Sequence, residues 1–583
     1  MMRGFIAVVA DAGADLDPAE TERLAAAYAA LHETTGRRKL AAETRAEVVL
    51  FGDGGTPPDD RDNAWVASVG TLVGDPFADL AALEGNFCLF RAHGGSAEAA
   101  VDPFGMQPLY RARRGGFTYL STSALALARH LRAQPDHLGL LVFLRTGYQV
   151  GARTHWEGIV RLDPATRLRF DDDGDTEDVY WRPERDPSFA KLSLSDTSSR
   201  CLEIGVETCR SLVAELPQMW ADLTGGYDTR LLALLLRAAD RTFVTNTVGA
   251  PETEDVRLAR EVARRGRWPW VHFTLPAEWP TLLSSYVNEA VAAADAHLNA
   301  LELAEVLWVH REKARDRTRL MNGGGGEHYQ FHPWRTEFLR AGRSSEINWS
   351  NYVPMGLMRP LDTSVVRSFP AAEVENDLRE RMARHVAPYA DEPNTVKLDL
   401  LFAYRMTGHF GAYGAAARRY ICPEFPFYTR PVFLAGFSSH HRHRNAHRLM
   451  RHMIERLDPS IAAVPTEKGG PAQPTRVTNI HRFVPYYTRL GRKAVNKVTD
   501  KVFGRPLLSA AVHVDPLRGA ARAKMIDDLG LRTSDWRSGS LYEPPKLREL
   551  LDTAGQADFA QAGLLGRMIT IELALRAAEA AVD

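Results

Sequence analysis

Three short stretches carry residue types that could handle phosphate. The first is DLTGGYDTRLL (222–232), where two glycines, two threonine hydroxyls and Asp228 lie between apolar runs. Placed after a strand and before a helix, such a turn aims backbone N–H groups and the helix dipole at an anion. Asp228 brings negative charge to the same place. That makes sense if the anion arrives with Mg²⁺, because a carboxylate then ligates the metal and the metal neutralises the phosphates. A plain strand–helix turn would need only the two glycines, and the stretch is neither the GxxxxGK(S/T) loop nor GxGxxG. The second stretch is NGGGGE (322–327). The third is VPTEKGGPAQP (464–474), in which Lys468, taken alone, reads as an exposed loop lysine.

The elements that must position these residues follow from the pattern around them. From Gln218, QMWADL, TFVTNTV and WVHFTL read as strands. TRLLALLLRAAD and EDVRLAREVARRG between them read as helices. That is a βαβαβ unit, which predicts a parallel sheet with right-handed crossovers. Beyond Thr281 the chain reads as mostly helical, interrupted by MNGGGGEHYQF (321–331). Upstream, FIAVVA, EVVLFGD, GNFCLFRA, GFTYLST and TRLRFDDDG read as short strands, with helices at Pro18–His32 and Asp136–Arg145. This predicts an α+β region with a largely antiparallel sheet. DPSFAKLSLSD (186–196) reads as a linker, and no internal repeat is visible.

Bulk properties exclude several classes. The 583 residues predict two or three domains. A hydrophobic fraction of 45% is ordinary for a soluble protein, and a net charge of -1 favours neither nucleic acid nor a membrane surface. The four cysteines, Cys88, Cys201, Cys209 and Cys422, form no C-x-x-C pair, which points to buried thiols in a reducing cytoplasm. The start, MMRGFIAVVADAG, is too short in its apolar run for a signal peptide and reads as a strand. No run of about 18 uncharged apolar residues predicts a membrane span.

TGGYDT resembles the SGGxDS pyrophosphate loop of the asparagine synthetase superfamily, with both hydroxyls kept as threonine. TVGAPETEDVRLAREVA (247–263) resembles that family's next nucleotide segment, NGGGGE its SGxGxDE loop, PEFPFYTRPV (423–432) its RxPFLD segment, and VPTEKGGPAQP its late lysine stretch. EGNFCLFRA, VDPFGMQPLYRARRGGFTYLST and THWEGIVRLDPATRLRF resemble the class II glutamine amidotransferase domain that precedes it.

The resemblance implies a degenerate amidotransferase-like α+β sandwich of the Ntn type over 1–185. An asparagine synthetase-like α/β domain over 195–583 would follow, with an adenine-nucleotide-hydrolase-like parallel sheet and a helical C-terminal part. It implies ATP and Mg²⁺, with Leu223, Thr224, Gly225, Gly226, Asp228 and Thr229 around the pyrophosphate. Val248 and Gly249 would lie against the adenine, Asp255 near the pocket, and Asn322 and Gly323 near the α-phosphate and ribose. Asp228 and Glu327 would ligate metal, Glu327 replacing the family's aspartate with His328 beside it. Lys468 falls on the family's catalytic lysine, and Arg405 is a second candidate to face substrate.

The family's N-terminal nucleophile, the cysteine of MCGIxG, falls here on Met2 or Arg3, and neither can attack an amide. Cys88, inside a strand, is a poor substitute. The resemblance therefore implies an AMP-forming, glutamine-independent carbon–nitrogen ligase, and is nearest to lasso peptide cyclases. Such an enzyme adenylates an Asp or Glu side chain of a core peptide and couples it to the peptide's α-amine to close a macrolactam. The implied partners are a precursor peptide, a leader-binding protein and a leader peptidase, in the cytoplasm, without nucleic acid or membrane span. Alternatives are a small-molecule amide ligase or β-lactam-type synthetase of the same fold, and a non-catalytic nucleotide-binding scaffold. β-Lactam synthetases place a tyrosine in the second glycine loop, and NGGGGE has none.

Three further features stand outside this scheme. SSHHRHRNAHRLMRH (438–452) sets His443 and His447 at i, i+4, a metal-compatible spacing on a helix, although a basic face is the plainer reading. Residues 476–505 carry eight basic residues against Asp500, which could be a solvated face or a surface for an acidic leader, a partner or anionic lipid. YRMTGHFGAYG (404–414) reads as a helix-to-turn region in which Arg405 and His409 could face the substrate, although a core position is the plainer reading for His409.

Overall fold

The computed structural model describes residues 4–34, 37–41, 45–52, 64–93, 96–213, 218–330, 344–489, 491–492, 516–533 and 535–580. Met2, Arg3 and the basic residues from Lys493 to Arg505 lie outside the described residues.

The first part holds two antiparallel sheets. One runs in the order 37–41, Ala46–Phe51, Gly4–Ala10, Phe117–Ser121, Tyr110–Arg114 and Ile159–Arg161. The other runs Gly174–Val179, Thr166–Asp171, Ser96–Val101, Glu84–His93 and Trp65–Val73. Strand Gly4–Ala10 shows why the two stack. Successive side chains of a strand point to opposite faces. Phe5, Ala7 and Val9 pack with Cys88, Phe90 and Phe170 of the second sheet, whereas Ile6 and Val8 pack with Leu24, Tyr28 and Leu125 of two helices. Those helices are Pro18–His32, capped by Asp17, and Ala124–Leu131, capped by Ser123.

The stretch read as a linker, 186–196, leads into a helix that starts two residues before its end. Residues Pro187–Lys191 form a short 3-10 turn, and helix Leu194–Leu212 has already begun by residue 194, capped by Ser193.

A five-stranded parallel sheet follows, ordered Trp270–Phe273, Phe243–Val248, Met219–Asp222, Arg319–Met321 and Cys422–Glu424. The first three strands in chain order are those expected. The last two are three residues each and lie in the region read as helical. The sheet grows outward from Met219–Asp222 in both directions, so its topological switch point lies between that strand and Arg319–Met321. In open parallel sheets, ligands bind in the crevice beyond the carboxyl ends of the strands at such a point. Both glycine stretches emerge there.

The two parts are joined along a polar seam. Thr71 and Arg319 both donate to the Glu424 carboxylate, and Asn86 Nδ2 donates to the Tyr428 carbonyl at 2.9 Å. The last helix, Ala562–Glu579, packs on Ala124–Leu131 and His137–Thr146, so one apolar core runs from Ile6 to Leu573. Among the described residues no helix is long and apolar enough to cross a membrane.

Candidate active site

At the switch point lies a cavity of about 460 Å³, walled by both glycine loops, Lys468 and two helices. Strand Phe243–Val248 fixes its floor with buried polar side chains. Asn246 Nδ2 donates to the Ala221 carbonyl at 3.1 Å and Thr247 Oγ1 to the Leu223 carbonyl at 2.8 Å. Leu223 is itself fully buried.

The first glycine loop is tied internally. Thr229 Oγ1 accepts from the Thr224 N–H at 3.0 Å, and Thr224 Oγ1 accepts from the Gly226 N–H at 3.1 Å. Asp255 Oδ1 accepts from the Gly225 N–H at 2.5 Å. Asp255 therefore braces the loop from behind. The loop's own amides are engaged, so an anion would meet the first turn of helix Asp228–Ala238, which has no side-chain cap.

The second loop packs directly on that turn. A Cβ on Gly323 would lie 3.0 Å from the Thr229 backbone nitrogen, and one on Gly326 only 2.4 Å from Asp228 Oδ1. Only glycine permits this approach. Asn322 is held by Asp222, whose Oδ2 accepts from Asn322 Nδ2 at 2.9 Å while Oδ1 pairs with the buried Lys313 at 3.0 Å.

The two proposed metal ligands meet across these loops. Burial and then the neighbouring Glu327 carboxylate hold Asp228 well above the usual carboxylate range, with Lys468 and a 2.5 Å bond from Gln330 Nε2 pulling it back. Two carboxylates close together in a buried site suit a divalent cation. Among the described residues no group of three or more His, Cys, Asp or Glu side chains could hold a metal ion. The pair fits Mg²⁺ in its usual nucleotide setting, where one or two carboxylates share the ion with phosphate oxygens and water. His328, beside Glu327, does not join them. It is buried against Tyr428 and Phe433, and burial pushes its imidazole down to about 3.

Lys468 lines the cavity with its Nζ 5.7 Å from the Tyr227 ring centroid. Its loop is positioned by Arg230, a residue the sequence reading passed over. Arg230 is fully buried and donates to the carbonyls of Val464 at 2.8 Å, Pro465 at 2.9 Å, and Ile461 and Gly225 at 3.3 Å. The Glu467 N–H closes the link on Gly225 O at 3.2 Å. From outside, Arg482 donates to the Ala463 carbonyl at 2.6 Å and Arg489 to that of Glu467. Part of the basic segment therefore braces the lysine loop.

Thus Leu223, Thr224, Gly226, Asp228, Thr229, Val248, Asn322, Gly323, Glu327 and Lys468 share one cavity. Gly225 and Asp255 stand just behind it. Gly249 sits past the edge of the cavity at φ +143, its N–H on the Phe273 carbonyl at 3.1 Å. Arg405 is not brought to the site: its guanidinium donates to the Gly356 carbonyl and lies 5.3 Å from the Phe402 ring centroid. The 404–414 stretch is continuous helix within Asn394–Ala417, with no turn, and its Phe410 and Tyr413 wall the cavity. The histidine spacing is broken by a kink, with Ala446 at φ 50 and His447 at φ 60. His443 contacts Thr197 Oγ1 at 3.3 Å and His447 stacks on Tyr227, so the two do not share a helical face.

No family model matches the chain, and no curated protein matches it. Among solved structures, a glutamine phosphoribosylpyrophosphate (PRPP) amidotransferase from B. subtilis, complexed with ADP and GMP, is similar at 10% identity and a TM-score of 0.21. The match covers 46% of this chain and 80% of that one. A structure of the allosteric regulatory enzyme of purine biosynthesis is similar at the same 10% identity and TM-score of 0.21, covering 42% of this chain and 64% of the other. At such values neither likeness carries an argument about this chain.

Proposed function

We propose that the chain is an AMP-forming carbon–nitrogen ligase that adenylates a carboxylate and couples it to an amine of the same peptide, closing a macrolactam. The observation that carries the reading is the convergence of Thr224, Asp228, Asn322, Glu327 and Lys468, from three distant segments, on one cavity at the switch point of a parallel sheet. In the first step a carboxylate oxygen attacks the α-phosphorus of ATP, and pyrophosphate leaves. The uncapped turn at residues 227–229 and the Thr224 and Thr229 hydroxyls would hold the departing phosphates. Asp228 and Glu327 would hold Mg²⁺, which supplies charge neutralisation there. In the second step the amine attacks the acyl adenylate carbonyl, and AMP leaves. Lys468 would stabilise negative charge on the intermediate.

An internal amine is favoured because the cysteine of the N-terminal part is not placed to serve as an amidotransferase nucleophile. Cys88 is fully buried in strand Glu84–His93, and burial pushes its thiol up to about 12. A thiol so held is inert. The test supplies the full chain, ATP, Mg²⁺ and a genetically neighbouring precursor peptide with its leader-processing partners. The product should have lost one water and resist sequencing from its N-terminus, with AMP and pyrophosphate formed in step. ADP in place of AMP, or a linear product carrying ammonia, would rule the mechanism out.

A further inference from the structure

A second cavity, of about 590 Å³, adjoins the first. Glu302 lines both, and the helix neighbours His409 and Phe410 line one each. Its walls come from the end of helix His137–Thr146, from residues Arg359–Asp362, and from the start of helix Ala562–Glu579.

Its chemistry is that of an anion site. Arg567 is 5% exposed, donates through Nη2 to the Pro360 carbonyl at 3.0 Å, and keeps a buried Nε with no partner. Arg359 stands beside it. A Cβ on Gly147 would lie 3.7 Å from both Arg359 Cγ and Arg567 Nη1, so the two side chains converge on that glycine. His409 Nδ1 is also buried and unpartnered. The helix Ala562–Glu579 begins without a side-chain cap and with no acid in its first turn, and Gly563 and Leu564 of that turn line the cavity.

Two acids also line the cavity, each held by neutral donors that leave its charge in place. Glu302 Oε1 accepts from Asn299 Nδ2 at 2.9 Å, and Asp362 Oδ1 accepts from Ser364 N–H at 3.0 Å and Oγ at 2.7 Å. Asp362 Oδ2 also accepts from Gln561 at 3.4 Å. Burial lowers Arg567 to about 10. Glu302 opposes this, and Arg359 and Arg145 add to it. Burying a guanidinium among other guanidiniums is costly unless an anion completes the site.

We propose that this cavity binds an anionic oxygen group, a carboxylate or a phosphate, on the amine-bearing part of the substrate. Glu302 at the junction then faces the amine as it passes toward the nucleotide cavity. The assignment to the substrate rests on the ligase reading, whereas the anion site itself does not.

The test is saturation-transfer NMR on the full chain with glutarate and neutral glutaramide as probes and inorganic phosphate as competitor. Glutarate should receive saturation and glutaramide should not. The exposed Arg359→Gln variant should weaken glutarate at least tenfold, and Arg567→Gln should do the same if it folds. Competition separates the sources: loss of the glutarate signal at a phosphate concentration below glutarate's own half-saturation assigns a phosphate, and loss only at a higher concentration assigns a carboxylate. Mg²⁺–ATP should not displace glutarate, and Asp228→Asn should leave its binding unchanged. Equal saturation of glutarate and glutaramide, unchanged binding in Arg359→Gln, or displacement by ATP overturns the proposal. Failure of AMP formation would strike the ligase reading and leave this binding result standing.

Discussion

Arg230 donates to the carbonyl of Pro465 at 2.9 Å from a position with no solvent exposure. Through this bond and its neighbours, one guanidinium sets the distance between the glycine turn and the lysine loop. Arg230→Met keeps the bulk and removes the donors. The expected result is a stability loss of roughly 3 kcal/mol, because buried carbonyls lose charged partners, and a fall in turnover larger than the fall in ATP affinity. Denaturation and ligation assays on one preparation check both. Turnover and stability equal to wild type would show that the loop is held otherwise.

Asp228→Asn and Lys468→Ala separate the two half-reactions. The first should lower AMP formation by about two orders of magnitude, on the order of 3 kcal/mol of transition-state stabilisation. The second should leave nucleotide binding near wild type and yield little cyclic product. Normal product formation by the lysine variant would remove Lys468 from the chemistry.

Gly326→Ala tests the closeness of the loops. Its Cβ would lie 2.4 Å from Asp228 Oδ1, so the carboxylate or the loop must shift. A displacement of that kind should reduce turnover by about tenfold to a hundredfold. Unchanged Mg²⁺ dependence and turnover in this variant would mean that the two loops need not touch.

Asp295 gives a pH signature independent of catalysis. It is fully buried, accepts from Ser123 Oγ at 2.5 Å and the Leu125 N–H at 3.0 Å, and burial raises it to about 7. A carboxyl raised on folding binds its proton more tightly in the native state. Its contribution is therefore full below about pH 4, the unfolded value, and is lost as pH rises to about 7. Over that window the loss is on the order of 3–4 kcal/mol. Asp295→Asn should flatten it. Thermal midpoints of wild type and variant across pH 4.5–8 should diverge toward alkaline pH in favour of the variant; a constant difference would refute the account.

Glutamine should not be hydrolysed. Glutamate release, with or without ATP, is expected to stay at the buffer blank, because Met2 and Arg3 carry no nucleophile and the Cys88 thiol is buried and raised. Turnover above the blank would require a nucleophile elsewhere.

The sequence was most legible where local signals decide structure. The helix read at Pro18–His32 is present there, capped by Asp17, and the apolar run FIAVVA read as a strand lies in strand Gly4–Ala10. Strands Arg319–Met321 and Cys422–Glu424 escaped notice because three residues carry no period, and only the neighbouring strands make them strands. The His443–His447 spacing assumes a continuous helix, whereas two consecutive left-handed residues break it. The three carbonyls of the lysine loop that Arg230 binds lie more than two hundred residues away, beyond any local pattern. Asp255 was read as lying near the pocket, but not as the group that occupies the Gly225 amide.

The seam in which Thr71 and Arg319 share Glu424, and Asn86 holds the Tyr428 carbonyl, bears on inheritance. Glu424 ends the edge strand of the parallel sheet, and Tyr428 packs beside His328, which follows the second glycine loop. Selection acting only on the later half of the gene is therefore expected to restrain Thr71 and Asn86 in the earlier half, whatever chemistry that half performs. Trimming that reading frame would strip Glu424 and the Tyr428 carbonyl of these two partners.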